Sequence, residues 1–413
     1  MPNSSVLVVG GGFTGITAAL EAAEVGHEVY LVEQRPFLGG RVAQLNKYFP
    51  KLCPPSCGLE IQFQRIKKNP RVKVFTLSEV VSVEGSKGDY KATIKIKPRC
   101  TVPGSNDLSG AAKELSKEIP SDFEFGMKDR KALYLDSPFS YPHSYVLDKE
   151  DLTSADKEKL ADNEYVNLDD EEKELTLDVG SIVLATGWKP YDVTQLETLG
   201  RGEVENVVSN MQFERLASPH GPTNGKIVRP SDNKEPKKIC FVQCAGSRDE
   251  NHLSYCSYIC CTASLKQASY IREQSKDCKV VIYYIDLRTP GRYMSFREKI
   301  LKDPGISAVK GKVAEVAQGE NGNVLVTVED AVAGIKQQVE YDMVVLATGM
   351  QPSIKGVNLP FDVPVDEEGF IIGGEEKGIF AAGCAKKPLD VMKSAQSGTG
   401  AAMKAIETVR GRE

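Results

Sequence analysis

The stretch that decides the fold is VLVVGGGFTG, from Val6 to Gly15. Its apolar start, Val6–Val9, predicts a buried parallel strand. Gly10, Gly12 and Gly15 then form a G-x-G-x-x-G pattern. In such a pattern the first glycine permits a tight turn, the second lets the backbone approach a diphosphate, and the third allows close helix–strand packing. The pattern predicts a dinucleotide-binding turn, with a purely structural glycine-rich turn as the alternative.

The flanking residues complete one βαβ unit. A helix is predicted over Thr14–Val25, where Gly26 ends it, and the next strand, HEVYLVE, ends on Glu33. Glu33 comes 23 residues after Gly10, which is where an acidic side chain can accept hydrogen bonds from a ribose. The diphosphate would rest on the amino end of the helix, since free N–H groups and the helix dipole favour an anion there.

Later motifs favour FAD over NAD, bound noncovalently. Gly39-Gly40-Arg41 matches the motif that flavoproteins place beside the diphosphate and ribityl chain, and GIFAAGCA matches the late strand whose closing glycine approaches that chain. Many flavoproteins have an acidic residue after that glycine. This chain has Cys384, which either lines the flavin site or is a small buried residue. No catalytic residue is predicted, and the predicted cofactor-binding residues are Gly10, Gly12, Gly15, Glu33, Gly40, Arg41, Ala185, Thr186, Gly187, Gly383 and Cys384.

Repeated strand endings predict the domain organisation. SIVLATG (Ser181–Gly187) and MVVLATG (Met343–Gly349) end in the same three residues, and each marks a return to a central sheet. We predict an α/β flavoprotein with two dinucleotide-binding domains, both Rossmann-like, and an irregular insertion. The predicted segments are 1–97 (first part of the FAD domain), 98–178 (insertion that docks another subunit), 179–237 (FAD-domain return and linker), 238–342 (second Rossmann-like domain with an iron–sulfur loop) and 343–413 (C-terminal part of the FAD domain).

A cysteine-rich run carries the second functional signal. FVQCAGSRDENHLSYCSYICC contains Cys244, Cys256, Cys260 and Cys261, where a second dinucleotide domain normally has its glycine-rich turn. Four thiolates are what a cubane iron–sulfur cluster needs, and the predicted cofactor is one [4Fe–4S] cluster beside FAD. If a helix has begun by Cys256, that residue and Cys260 share one helical face. A zinc site and structural or disulfide-forming thiols are the alternatives.

The remaining cysteines and the histidines give weaker signals. Cys53 and Cys57, in LCPPSCGLE, are either a redox dithiol or auxiliary ligands near the flavin, or incidental thiols in a proline-rigidified loop. His252 lies inside the cysteine run, where a surface role and a role in tuning the cluster are both open. The residues expected to be structural are Cys100, Cys240 and Cys278.

Composition narrows the function classes. The 413 residues are 41% hydrophobic and 26% charged, with a net charge of -5, and basic residues do not cluster as nucleic-acid or membrane-surface binding requires. No apolar run approaches the roughly 18 residues of a membrane span. Ten cysteines in short motifs, behind an amino terminus with no secretion signal, favour redox or metal chemistry over disulfides. We therefore expect a soluble cytoplasmic protein.

The segment Gly221–Ala268 resembles the cluster-binding segment of the heterodisulfide reductase A-subunit family. GGRVAQLNKYFPKLCPPSCGLE, SDFEFGMKDRKALYLDSPFSYP, DLRTPGRYMSFREKI and FAAGCAKKPLDVMKSAQSGTGAA are also similar to that family. The resemblance implies a thioredoxin/glutathione reductase-like fold and an oxidoreductase subunit. It also implies that the four cysteines of the central run are the cluster ligands.

Departures from the family refine this expectation. Its electron-bifurcating members carry ferredoxin-like cassettes, whereas the insertion here holds only Cys100 and no such cassette precedes Glu413. In this the chain resembles the A subunits of quinone-interacting membrane-bound oxidoreductase complexes of sulfate reducers. The implied partners are a homologous flavoprotein subunit, a membrane subunit that interacts with quinone, and adenylylsulfate reductase. The implied place is the inner face of the cytoplasmic membrane, reached through those partners. The alternatives are a soluble NAD(P)H-dependent flavin or disulfide reductase and a flavin-bearing structural subunit.

Overall fold

The chain forms two units in a computed structural model that describes residues 3–102, 107–200 and 202–411. The first unit contains Met1–Ala43, Ser56–Trp188 and Pro352–Glu413, and the second contains Gln44–Pro55 and Lys189–Gln351. Both units are therefore discontinuous in sequence, as expected when one dinucleotide-binding domain is inserted into another.

Strands and helices alternate through much of both units. The strands, numbered along the chain, are β1 (Val6–Val9), β2 (Val29–Val32), β3 (Val72–Phe75), β4 (Ser78–Ser86), β5 (Asp89–Ile96), β6 (Glu118–Pro120), β7 (Asp129–Lys131), β8 (Leu133–Tyr134), β9 (Val146–Leu147), β10 (Lys173–Val179), β11 (Ser181–Leu184), β12 (Trp188–Pro190), β13 (Val207–Ser209), β14 (Lys238–Ala245), β15 (Lys279–Tyr284), β16 (Ile306–Gln318), β17 (Val324–Asp330), β18 (Ile335–Tyr341), β19 (Met343–Thr348), β20 (Met350–Pro352) and β21 (Ile379–Ala381). The helices are α1 (Phe13–Glu24), α2 (Ser56–Lys68), α3 (Ser109–Lys113), α4 (Ser154–Ala161), α5 (Asn210–Ala217), α6 (Cys260–Gln274), α7 (Tyr293–Leu301) and α8 (Val391–Val409).

A parallel sheet forms the centre of the first unit, in the order β21-β11-β1-β2-β3. Val8 of β1 lies between Val183 and Leu31 of the two neighbouring strands. Both faces of this sheet are covered, which is why its strands are continuous apolar runs without polar alternation. Helices α1 and α8 pack on one face, where their small residues, such as Ala19 and Ala402, let the backbones approach closely.

The insertion has a core of its own within the first unit. Its buried side chains include Cys100, Leu133, Leu147 and Leu160. Strand β10, at its end, pairs antiparallel with β5 in a small sheet ordered β10-β5-β4. The insertion is therefore folded, and Cys100 is a buried core residue with its pKa raised, chiefly by burial.

The second unit is built on a larger sheet in the order β13-β19-β14-β15-β16-β17-β18. The strands from β13 to β16 are parallel, while β17 and β18 extend the edge antiparallel. Val324, Val326 and Val328 of β17 are buried at every second position, the period of a strand with one covered face. Cys240 lies fully buried in the central strand β14, as expected of a core residue.

The boundaries of the units differ from those that the sequence suggested. The sequence pattern predicts the strand MVVLATG (β19) in the FAD domain, but it lies in the second sheet between β13 and β14. Residues 189–237, expected to belong to the FAD-domain return and linker, supply β13 and α5 to the second unit. Gln44–Pro55 also belongs there. A buried apolar strand carries the same pattern in either parallel sheet, so its sequence does not say which sheet it joins.

Candidate functional site: a dinucleotide cradle and a cysteine loop

The fingerprint turn is held by two close backbone approaches. Gly10 has a φ of +107° and a Cβ there would overlap Ala185 O, while a Cβ on Gly15 would overlap Gly10 O. Glycine is therefore required at both positions, at Gly10 for the backbone conformation as well as the space. These contacts join the end of β1 to the first turn of α1 and to the strand beside it.

Gly12 differs, because the space beside it is open. A Cβ on Gly12 would meet only Gly40 Cα, at 3.9 Å. Gly12 is also the N-cap of α1 and supplies no side-chain cap, so the first N–H groups of that helix face an open space. Gly39 pairs with Gly12 in a parallel bridge, and its N–H donates to Gly11 O at 2.8 Å. The two glycine motifs thus form one cradle suited to a diphosphate.

Glu33 lies at the end of β2 beside this cradle. Its Oε2 accepts a hydrogen bond from the Gly11 N–H at 2.6 Å, and its Oε1 accepts one from the Arg35 N–H at 2.8 Å. Burial raises the pKa of this carboxyl, and the backbone donors oppose that rise. The two N–H groups hold the side chain at the position where this fold binds a ribose hydroxyl.

The end of β11 is followed directly by Ala185, Thr186 and Gly187. Ala185 N donates to Val9 O at 2.8 Å, which holds the segment against β1. Thr186 Oγ1 is buried and has no hydrogen-bond partner among the described residues. Gly187 has a φ of +72°, with nothing within 4 Å of a Cβ placed there. An unpartnered buried hydroxyl beside an open glycine fits a bound polar cofactor, because a buried polar group without a partner is costly.

Arg41 brings a cation to the cradle. Its Nε donates to Trp188 O at 3.2 Å, and its guanidinium lies 5.8 Å from the ring centre of Phe125, a residue of the insertion. Burial lowers the pKa of Arg41 to about 10. A half-buried arginine directly after Gly40 of the cradle suits the negative charge of a diphosphate.

The insertion holds the loop that carries Arg41. Leu38 N donates to Tyr141 O at 2.7 Å, and Arg35 lies 5.9 Å from the ring centre of Phe123. Arg99 lies 5.6 Å from the ring of Phe37. The insertion therefore packs on the cofactor loop, a contact that its irregular sequence did not reveal.

Gly383 and Cys384 lie at the start of the last segment of the first unit. Gly383 has a φ of +62° and its N–H donates to Ser397 Oγ at 2.9 Å. The Cys384 thiol is 3.6 Å from Leu389 O and 3.7 Å from Ser394 Oγ. Its pKa is raised, chiefly by burial. These contacts match the description of Cys384 as a small buried residue.

The cysteine loop connects β14 to α6 in the second unit. Cys244, next to last in β14, has a φ of +58°. Cys260 and Cys261 are the first two residues of α6 and are buried. Cys256 precedes the helix, so it does not share a helical face with Cys260. The reason is local: Tyr258 has a φ of +67°, which interrupts a helical path between the two cysteines.

The four thiols influence one another. Burial raises the pKa of Cys260 well above its usual value, and the charges of Cys261, Cys244 and Cys256 raise it further. Burial also raises the pKa of Cys261, to about 11. Burial thus favours the neutral form of the Cys260 and Cys261 thiols, and cations at the site would favour their thiolates.

The four thiols, two buried and two half-buried, suit an iron–sulfur cluster in number and in kind of donor. Among the described residues, no three His, Cys, Asp or Glu side chains are arranged to hold a single metal ion. A cubane places irons and sulfides between its four thiolates, so its ligands surround a larger volume than those of one ion. The first turn of α6 has no side-chain cap, and its N–H groups favour the negative charge of such a group.

Sequence reasoning missed a buried ion pair in the second unit. Lys266 Nζ lies 3.0 Å from Glu214 Oε1 and donates to Lys47 O at 2.7 Å, and both charged side chains are 2% exposed. Glu214 Oε2 also accepts from Asn46 N at 2.9 Å. The pair thus fixes Gln44–Pro55 to α5 and α6. Its only sequence signal is a lysine within the otherwise buried face of α6, five residues after Cys261.

The remaining cysteines and His252 have different surroundings. Cys53 is half-buried and Cys57, in the first turn of α2, is exposed. Cys278 is buried, and its thiol is 3.8 Å from Lys279 O. His252 Nδ1 lies 3.0 Å from Tyr191 OH, which gives the ring a partner outside the cysteine group.

Comparisons with known proteins agree with this geometry. Residues 5–50 match the family model FAD dependent oxidoreductase. The chain is 36% identical, over 97% of its length, to the iron-sulfur A subunit 2 of the CoB–CoM heterodisulfide reductase of Methanopyrus kandleri. It is 33% identical, over 99% of its length, to the A subunit of the H2:CoB-CoM heterodisulfide,ferredoxin reductase of Methanothermobacter marburgensis. The chain is homologous to the heterodisulfide reductase A subunits.

This homology to the A subunits does not extend over their whole length. The chain spans 63% of the Methanopyrus protein and 64% of the Methanothermobacter protein.

Within the residues that the structure describes, none of the helices combines the length and apolar character needed to cross a bilayer.

Solved structures confirm the predicted fold class. The chain is similar to thioredoxin reductase of T. acidophilum, with a TM-score of 0.53, 15% identity, and coverage of 99% of this chain and 98% of that one. It is similarly related to thioredoxin reductase of Lactococcus lactis, with a TM-score of 0.54, 14% identity, and coverage of 99% of both chains. This A-subunit homologue therefore has the fold of a flavoprotein with two dinucleotide-binding domains.

Proposed function

We propose that this chain is the FAD- and iron–sulfur-containing electron-transfer subunit of a multi-subunit oxidoreductase. One observation carries the proposal: the second dinucleotide-binding unit has four grouped cysteines where β14 meets α6, the position at which such a unit normally binds a nicotinamide cofactor. The first unit keeps the cradle of Gly12, Arg41 and the unpartnered Thr186 hydroxyl. The homology to A subunits whose names include "iron-sulfur" supports the same reading.

In this proposal the first unit binds FAD and the second unit binds the cluster. Gly12 and the amino end of α1 would hold the FAD diphosphate, Arg41 would balance its charge, and Glu33 would bind its ribose. Cys244, Cys256, Cys260 and Cys261 would hold one [4Fe–4S] cluster, with the free N–H groups of α6 favouring its charge. Bound there, flavin exchanges one or two electrons and a cluster carries one, so the pair can convert between two-electron and one-electron carriers.

The proposed partners follow from resemblance rather than from contacts. We place the subunit in a relay between a membrane quinone-interacting subunit, beside a homologous flavoprotein subunit, and a soluble reductase such as adenylylsulfate reductase in sulfate respiration. It would thereby lie at the inner face of the cytoplasmic membrane. The support comes from the insertion, which lacks the ferredoxin-like cassettes of electron-bifurcating family members. Its single cysteine, Cys100, is buried in its core and provides no cluster ligand set. The exposed acidic residues of the insertion would then dock another subunit.

NADH and NADPH are expected to be poor reductants of the flavin. The end of β14 carries Cys244 and is followed by a long loop in place of a glycine-rich N–H cradle, so a nicotinamide diphosphate lacks its usual donors. Anaerobic stopped-flow mixing of the FAD-loaded chain with either nucleotide should leave the flavin absorbance unchanged on the timescale of turnover. Rapid stoichiometric bleaching would contradict the proposal and favour a soluble flavin or disulfide reductase. A flavin-bearing structural subunit would instead keep both cofactors oxidised during turnover of the complex.

A further inference from the structure

Arg248 is held in an unusual backbone conformation inside the cysteine loop. Its φ is +59°, in the left-handed region that costs free energy for residues other than glycine. Local hydrogen bonds impose it: Arg248 N donates to Tyr255 O at 3.1 Å, and Leu253 N donates to Gly246 O at 3.1 Å. The loop therefore fixes the direction in which this side chain leaves the backbone.

The guanidinium is only half satisfied. Nη2 lies 2.9 Å from Asp286 Oδ2, while Nη1 is buried and has no hydrogen-bond partner among the described residues. Burial lowers the pKa of Arg248, but the charges of Cys244 and then of Asp286 outweigh it and raise the pKa. Arg248 and Cys244 flank one tight turn, in which Ser247 N donates to Cys244 O at 3.2 Å. An exposed ion pair with Asp286 would not account for the buried Nη1, since a donor without a partner is costly.

Asp286 connects this arginine to a second cysteine. Its backbone oxygen accepts a hydrogen bond from the Cys261 thiol at 3.4 Å, and its carboxylate also lies 3.4 Å from Arg288 Nη2. Arg248, which shares a turn with Cys244, is therefore paired with the residue whose backbone oxygen contacts the Cys261 thiol. Arg288 shares the same carboxylate but is 49% exposed, whereas Arg248 is 23% exposed.

We propose that Arg248 is a positioning residue of the cysteine site: its Nη1–H donates to the Cys244 sulfur when that sulfur binds iron, and its charge favours the reduced site. The inference rests on the proposed function, because it requires the cluster. One-electron reduction by an external donor adds one negative charge at the site and changes no covalent bond. A buried cation stabilises that added charge, and hydrogen bonds to cluster sulfurs set reduction potentials.

The test is a redox titration, monitored by electron paramagnetic resonance, of the anaerobically purified full chain and its R248Q variant. We expect about a tenfold lower ratio of reduced to oxidised cluster in R248Q at the same ambient potential, equal to about 59 mV for a one-electron carrier. R288Q is the matched control, because it removes the same charge from the same carboxylate at an exposed position. Its ratio should change less than threefold because solvent screens that charge.

Each outcome decides the proposal. Four irons in R248Q with an unchanged ratio would overturn it and leave the proposed function intact, and so would an equal shift in R288Q. A parent chain without iron would overturn both. If R248Q does not retain iron, R248K decides: lysine keeps the charge but lacks the planar fork of guanidinium N–H donors, so a fall of threefold or more supports the proposal and an unchanged ratio overturns it.

Discussion

Cys260→Ser should abolish the iron–sulfur absorbance and paramagnetic signal while FAD stays bound. Cys260 begins α6 and is buried, and the charges of the other three cysteines raise its pKa after burial does. Serine keeps the size of the side chain and can donate to Thr348 O, which lies 3.8 Å from the thiol, but it is a poor iron ligand. We expect the iron content to fall about tenfold or more, in line with the loss of a ligand.

The control for this variant is Cys278→Ser. Cys278 is also a buried thiol of the second unit, with its pKa raised to about 12, chiefly by burial. Its replacement makes the same chemical change away from the cysteine loop, so iron and absorbance should not change. Four irons per chain in Cys260→Ser would exclude the proposed ligand set. Loss of iron in both variants would show that the second unit had been destabilised without identifying a ligand.

Gly12→Val should give a folded chain that does not hold FAD. The backbone at Gly12 (φ −73°, ψ 177°) suits any residue, and a Cβ there would meet only Gly40 Cα at 3.9 Å. The added methyl groups would fill the space in front of the α1 amino end and keep the diphosphate from its N–H donors. Loss of about 2.7 kcal/mol of binding free energy corresponds to about 100-fold weaker FAD binding. Flavin fluorescence titration of the apoprotein measures this directly.

Gly400→Val is the matched control. Gly400 lies in α8 of the same unit, is exposed, and has nothing within 4 Å of a Cβ placed there. It should bind FAD as the parent chain does. Circular dichroism should show both variants folded, in contrast to Gly15→Val, whose side chain would overlap Gly10 O. Unchanged FAD affinity in Gly12→Val would mean that the cofactor does not use this cradle.

Local patterns made the core of the fold predictable from sequence. The βαβ unit expected from Val6 to Glu33 appears as β1, α1 and β2, with α1 one residue earlier at each end than predicted. Such a unit is specified by neighbouring residues: an apolar run, a glycine turn and a helix-ending glycine. The cysteine loop after β14 was predictable for the same reason, because the apolar strand and the cysteines are neighbours in sequence.

Features that depend on distant residues were not predictable. Glu214 and Lys266 are 52 residues apart in sequence, and Asn46 N reaches Glu214 from 168 residues away. Nothing near Gln44–Pro55 indicates that this segment belongs to the second unit. The packing of the insertion on the cofactor loop likewise rests on single contacts between distant residues, such as Arg41 with Phe125 and Leu38 N with Tyr141 O. Such pairs leave no periodic pattern in a single sequence.

The central claim is that one chain holds both a flavin and a cluster. The most direct measurement is the content of iron, acid-labile sulfide and acid-released flavin in anaerobically purified protein. The account predicts four irons, four sulfides and one FAD per chain, as four thiolates and one dinucleotide cradle require. Flavin without iron and sulfide, one zinc per chain, or FMN in place of FAD would contradict it.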